Sequence, residues 1–436
     1  MRMDSVTPRR LAALMAVLAL LAPSSLRVRA AQAPTVEGAL GDLTSKDAKT
    51  RLHAVQWLKA VADPETAIPL AQAITDTDDE VQLEAIAAEL NIFLAEKVTP
   101  RKRIGFVVEV RGRIAAEPLF AAGPSVLGPG RVPVAVAIAL ATASIDRSPR
   151  VAVEALYALG TLAGEVDVAA RPGLLARTGP LLAGIVGAPD PVLRLAAVRV
   201  IGRMCAARPG DRPLDEAVGD AVISALNDRE DAVRETAMWA LGSMRYARSV
   251  QALSDLFQYY RKGPLAERAL DGLSRIGHEA SLPLLVEHVH GRNLTFRLIA
   301  IEGLARAGDR ARAGTIQTVL EKERNEAVLL AGHFSSVLLS DGSIDTLIES
   351  LGRSRLRSAA FGYLSELAPG RASLFVAHTK NPDQRIRRDV ADALGLSGDP
   401  AAVAVLVPMT GDTDPEVALA ARRAVSRLTA APPPVS

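Results

Sequence analysis

Apolar residues recur along the chain at helical rather than strand spacing. In 233–244, Val233, Ala237, Ala240, Leu241 and Met244 fall on one face of a helix. In 250–261, Val250, Leu253, Phe257 and Tyr260 do the same. Gly242 or a nearby polar residue is expected to close the first of these helices. Proline stands near the start of several second helices, as at Pro69 and Pro283, where a missing N–H costs little. The pattern predicts pairs of amphipathic helices and no β-sheet.

The pairs repeat. Ala232-Val233-Arg234-Glu235-Thr236-Ala237-Met238-Trp239-Ala240-Leu241-Gly242 and Ile386-Arg387-Arg388-Asp389-Val390-Ala391-Asp392-Ala393-Leu394-Gly395 share one pattern, apolar–Arg–x–x–apolar–apolar–x–Ala–Leu–Gly. Related segments place Arg51, Gln82, Ala152, Arg194, Ala266, Arg297, Val328, Arg357 and Ala418 at the Arg position. From Arg234 the steps are 32, 31, 31, 29, 30 and 31 residues. Between Gln82 and Ala152 the step is 70, which implies a degenerate repeat or an insertion. One helix pair cannot bury its own apolar face, whereas a stack of pairs builds a continuous core.

Four residues before the Arg position stand Asp47, Asp78, Asp190, Glu230, Asp383 and Asp414. An acid there can cap the helix N-terminus and complement its dipole. Repeated in step, these acids and arginines are expected to pair between neighbouring units as a ladder, with Asp47, Arg51, Asp190, Arg194, Glu230, Arg234, Asp383 and Arg387 as members. The units at 148–156, 262–276 and 324–334 lack the acid or the arginine and should interrupt it.

With these residues in view, the chain resembles the HEAT-repeat family, in particular short bacterial repeats of the phycobilin-lyase-like type. The segments that carry the resemblance are Asp190-Pro191-Val192-Leu193-Arg194-Leu195-Ala196-Ala197-Val198 and 383–395. The resemblance implies an all-α, right-handed α-solenoid of stacked antiparallel helix pairs, armadillo/HEAT-like, with about eleven units over 36–428. It speaks to fold and says little about chemistry.

Three stretches stand outside the repeat. Arg2, Arg9 and Arg10 precede the uncharged run Leu11–Ala22 and the break at Pro23-Ser24-Ser25, the order of a secretory signal peptide over 1–30. Twelve apolar residues are too short for a bilayer span, so no stable membrane anchor is expected after cleavage. Cleavage after Ala30 removes five arginines and one aspartate and takes the net charge from +2 to −2. An exported, periplasmic or extracellular protein follows. Residues 97–133 form an irregular insertion with Gly123-Pro124 and Gly128-Pro129-Gly130, within which 106–110 reads as helix. A second insertion covers 208–213, and 429–436 reads as a disordered tail.

Composition narrows the function. With 436 residues and a single Cys, Cys205, the chain has no internal disulfide and no Cys₄ zinc module. The balance of 51 basic and 49 acidic residues offers no field for nucleic acid. Aromatics at 3% suit thin, Ala-rich helix layers. No HExxH, GxSxG or P-loop pattern occurs, so neither catalytic residues nor cofactor- or metal-binding residues are assigned. His288 and His290 diverge on a helix, which leaves His278 only a remote third ligand. The expected function is a non-catalytic scaffold that binds protein partners along its concave surface, lined by the second helix of each unit. The alternative is a lyase or hydroxylase-like enzyme acting on a tetrapyrrole or metal centre. Candidate contact residues are Tyr259 with Arg261, next to an aromatic cluster, and the basic residues Arg355, Arg357 and Arg387.

Overall fold

The computed structural model describes residues 35–95, 114–208 and 215–429. The signal segment 1–30, the helix expected at 106–110, most of 208–213 and the tail from 430 lie outside the described residues. In chain order, helices α1 (Val36–Asp42) and α2 (Ala48–Val61) form the first pair, and α3 (Ala67–Ala73) and α4 (Asp79–Phe93) the second. A lone helix, α5 (Ala116–Ala122), follows. Pairing resumes with α6 (Val134–Ala143) and α7 (Pro149–Leu162), α8 (Arg171–Val186) and α9 (Pro191–Met204), and α10 (Glu216–Ser224) and α11 (Asp231–Ser243). Next come α12 (Val250–Tyr260) and α13 (Pro264–Ile276), α14 (Leu282–Val289) and α15 (Leu294–Arg306), and α16 (Ala313–Leu320) and α17 (Glu326–Ser340). The series ends with α18 (Asp345–Ser350) and α19 (Arg357–Leu367), the 3₁₀ segment Ala372–Lys380 with α20 (Gln384–Leu396), and α21 (Val403–Leu406) with α22 (Pro415–Leu428). Among the described residues the only β-type pairing is two isolated bridges, Leu94 with Leu127 and Val132 with Val166. No helix among them is long and apolar enough to cross a membrane. The fold is an all-α solenoid.

Two layers stack along it. The helices that carry the Arg position, from α2 and α4 through α20 and α22, pack each against the next along the whole series. In the other layer, neighbours from α10 to α18 splay apart. A stack compressed in one layer and splayed in the other bends toward the compressed one, so the Arg-bearing helices line the concave side. This corrects the expectation that the helix following each Arg-bearing one, such as that over 250–261, lines it. The physical reason is residue size. A Cβ added at Gly242 would stand 3.0 Å from the Gly272 Cα, and one at Gly395 would stand 2.5 Å from the Ala424 Cβ. These glycines lie within α11 and α20 and let the next helix approach, so Gly242 does not close its helix.

The caps follow the sequence. Side chains of Asp47, Asp78, Asp190, Asp383 and Asp414 each accept from backbone N–H groups in the first turn of their helices. Glu230 occupies the same position without a side-chain cap bond.

The ladder is built differently from the expected one. The acid that receives each arginine is not the capping residue but the residue two before it in the following unit. Arg51 is bidentate to Asp76 at 2.7 and 2.7 Å, Arg194 to Asp228 at 2.6 and 2.9 Å, and Arg387 to Asp412 at 2.8 and 2.8 Å. Arg297 pairs with Glu323, and Gln82 donates to Asp146 at 3.0 Å. In each case the same acid accepts a backbone N–H of its own turn, as Asp412 does from Asp414 at 2.9 Å. Each arginine also donates to the carbonyl six residues earlier: Ser45, Ala188, Gly291 and Asn381. A capping aspartate is occupied by its own helix, which leaves the acid two residues earlier to face the neighbouring unit. Arg234 finds no acid ahead of it, because the next turn reads Lys262-Gly263, and it turns back to Asp231 on its own helix. Arg357 reaches instead into the next helix, bidentate to Asp389.

The stack curls until its C-terminal helix meets residues 124–131 and Glu165. Arg427 of α22 donates to Glu165, just after α7, at 2.6 Å and to the Pro124 carbonyl at 2.8 Å. Arg423 donates to the carbonyls of Ser125 and Leu127, and Arg131 to the Thr429 carbonyl at 2.8 Å. Across the middle of the curl, Glu366 of α19 collects Arg306 from α15 and Arg245 from the turn after α11. Buried Arg306 is also held by Glu302, which accepts a hydrogen bond from Tyr363. Burial works against the Arg306 cation, and Glu302 and Glu366 more than offset it, holding the guanidinium charged.

Four outcomes follow. Arg387→Ala should destabilise the fold by roughly 1–3 kcal/mol while far-UV circular dichroism stays helical. Arg427→Ala should cost more, about 3–5 kcal/mol in urea unfolding, because Glu165 is left buried without its partner. Arg387 hydrogen bonds hold the Asp412 carboxyl below its ordinary value, and Arg194 does the same to Asp228. Stability from these pairs is therefore fully present above the ordinary Asp pKa of about 3.9 and is lost as pH falls through the lowered folded values. Thermal melts from pH 7 to 2.5 should show that loss, and it should be smaller in Arg387→Ala. Gly395→Val should lower the melting temperature, with an overpacking cost of about 1–3 kcal/mol.

Candidate functional site

The described part of the insertion, 114–133, lies on the inside of the curl. On α5, Phe120 is buried against Gly160 and stands 5.3 Å from the Tyr157 ring of α7. A Cβ at Gly160 would meet the Phe120 ring at 2.5 Å, so that glycine makes the room α5 needs. From α9, the Arg203 guanidinium stacks 3.5 Å above the Phe120 ring and donates to the Phe120 carbonyl at 2.6 Å. Burial and the neighbouring Arg199 lower the Arg203 pKa to about 10. Arg199 in turn bonds Glu117 and the Tyr157 hydroxyl. After α5 the chain turns at Gly123, φ +82, and runs to Leu127, which bridges to Leu94. Arg423 and Arg427 hold this stretch by its main-chain carbonyls.

Between the insertion and the inner helices α19, α20 and α22 lies a cavity of about 810 Å³. Its apolar surface includes Leu119 and Val126 from the insertion, Phe361 from α19, Leu396 from α20 and Leu419 from α22. Its polar surface includes Ser354, Arg357, Ser358, Arg388 and Glu416. Two carboxylates on the wall are committed: Asp389 to Arg357, and Asp392 to Arg423 at 2.7 Å. Arg388 makes no hydrogen bond among the described residues; its nearest acid is Asp389 at 3.6 Å.

The contact residues expected from sequence are not brought together. Tyr259 is 78% exposed on α12, in the outer layer, edge-on to Tyr260 at 5.1 Å. Arg261 ends that helix in the left-handed conformation, φ 59, and donates to the Gln258 carbonyl. Arg355 is exposed in the turn before α19, while Arg357 is half-buried on the cavity wall. The Arg387 guanidinium is spent on Asp412 and the Asn381 carbonyl, so it joins no surface patch. The histidines are separated too. His288 packs edge-on to Phe257 and Phe296, and His278 accepts from the Ala280 N–H. Among the described residues no three metal-ligating side chains cluster.

Sequence reasoning missed Arg423, Arg427, Phe361 and Leu396. A signal existed. Asp392 and Leu396 lie nine and thirteen residues after the capping Asp383, and Arg423 and Arg427 lie at the same offsets from Asp414. On α9, Arg199 and Arg203 take these offsets from Asp190. Polar residues at five of these six positions mark a second face of the helix, next to the core stripe.

No curated protein matches the chain. Several solved structures are similar to it. One engineered protein is 16% identical, covering 91% of this chain and 99% of its own, with a TM-score of 0.44. A chain in the complex of CpcE and CpcF of phycocyanin lyase from Nostoc sp. PCC7120 is 17% identical over 58% of this chain and 95% of its own, TM-score 0.40. A designed armadillo repeat protein in complex with a (KR)4 peptide is 16% identical over 63% and 99%, TM-score 0.37. The family model described as HEAT repeats matches residues 178–262 and 344–426. With its stacked helix pairs, the chain is an all-α solenoid, and those two segments are similar to HEAT repeats.

Proposed function

We propose that the chain is an exported, non-catalytic scaffold that holds a protein partner at the stretch of its concave face left open by its own insertion. The observation that carries this reading is the cavity between α5 with its following turn and helices α19, α20 and α22. Elsewhere on the inner face, α5 covers α7 and α9, and the ends of α11, α15 and α19 close on Glu366. At the cavity, Leu396 stays 37% exposed beside Arg388, a combination of apolar surface and arginine that suits a contact centre. A binding role rather than catalysis fits a wall whose Asp389 and Asp392 are already engaged in ion pairs. Export rests on the charge, apolar run and break of 1–30.

The test is site-specific photocrosslinking. The mature chain carries p-benzoylphenylalanine in place of Leu396 or, separately, in place of Tyr259, and is exposed to the exported fraction. Adducts to one protein are expected from position 396. Adducts from position 259 with none from 396 would move the partner to the outer layer. N-terminal mass analysis of the exported protein should begin at Ala31.

A further inference from the structure

The inner arginines already bind one peptide, the chain's own. From Pro124 to Leu127 three main-chain carbonyls accept from Arg423 and Arg427, so the last inner helix holds the 3₁₀ turn Pro124–Val126 and the residue after it by their backbone. The Val126 carbonyl is taken by the Ala95 N–H. The segment's side chains do other work: Leu127 is buried, and Val126 turns its apolar surface to the cavity.

The opposite side of the cavity, on α19 and α20, offers similar donors without an occupant among the described residues. Arg357 and Arg388 share one carboxylate, Asp389, which is nearly buried and already bidentate to Arg357. One positive charge is left without a paired anion. The hydroxyls of Ser354 and Ser358, exposed on the same wall, make no hydrogen bond among the described residues. Two hydroxyl donors beside an under-bonded guanidinium form a set for a carboxylate, which accepts but cannot donate when ionised. Phe361 stands one turn along α19 from Arg357, and Leu396 two turns along α20 from Arg388, so an apolar surface adjoins the donors. The single opposing group is Glu416, exposed in the first turn of α22, where the helix dipole favours an acid.

We infer that the partner enters the cavity as a short peptide segment bearing an acidic side chain next to an apolar one, the carboxylate on Arg388, Ser354 and Ser358 and the apolar side chain on Phe361 and Leu396. The inference rests on the function proposed above and adds the chemistry of what is bound. Basic and fully polar segments are rejected: the first meet Arg388, and the second leave Phe361 and Leu396 covered by groups that need water.

The probe is a displayed library of random heptapeptides selected on the full mature chain. Enriched sequences are expected to carry Asp or Glu beside Leu, Ile, Val or Phe. The best peptide, labelled with fluorescein, is expected to lose at least tenfold in affinity for Arg388→Glu and several-fold for Arg388→Gln, and to gain for Glu416→Gln. Because the Arg388 side chain makes no hydrogen bond among the described residues, both variants should melt close to the parent, and Glu416→Gln checks the charge effect without touching the arginine. Enrichment of basic peptides, no enrichment, or equal affinity for Arg388→Glu would overturn the inference. The two readings fail separately. If position 396 crosslinks a partner whose capture Arg388→Glu leaves unchanged, the scaffold stands and the acidic segment does not. If no partner crosslinks at 396, the scaffold reading itself falls.

Discussion

The solenoid depends on a guanidinium with two duties. At Arg51, Arg194, Arg297 and Arg387 one edge of the fork grips an acid in the next turn, and Nη1 donates to a carbonyl of the arginine's own turn. The turns between helices are where backbone groups lose their intrahelical partners. A planar, always-charged donor set answers that need in two units at once, which a lysine's point charge does not. Because the acid also receives a backbone N–H of its own turn, each rung fixes the turn geometry as well as the distance between units.

With the turns pinned, the size of the inner residues sets the bend. Gly242 and Gly395 on the concave helices let the next helix come close. The curl continues until α22 reaches the insertion. There the contacts change character: helix-on-helix packing gives way to arginines on backbone carbonyls and a buried pair, Arg427 with Glu165. Such contacts lose strength steeply when one member is removed, whereas an apolar seam loses it gradually. The closure is thus the most specific part of the fold.

The candidate site is a product of that closure. Its walls come from residues around 119–126, 354–361, 388–396 and 416–427, which meet only because the stack returns on itself. Arg388 remains under-bonded there because Arg357 has already claimed Asp389 from the neighbouring helix. The outer layer carries Tyr259 far from these groups, so the aromatic cluster and the basic cluster of the sequence are two separate surfaces.

The sequence alone determined the local structure. The helix pairs, the spacing near 31 residues, and the aspartate caps are written in residues close together, and short-range hydrogen bonding and apolar periodicity decide them. It also marked the break at 262–276, although at 324–334, where it expected another, Glu323 receives Arg297. The tertiary structure decided what depends on distant partners. Which acid meets each arginine was ambiguous because two acids stand within two residues of each other, as at Asp412 and Asp414, and only the neighbouring unit's position separates them. The concave layer was set by how closely whole helices approach, a sum over many small residues. The bonds of Arg423 and Arg427 to a segment some 300 residues away leave no local trace, since a backbone carbonyl acceptor has no residue type to read.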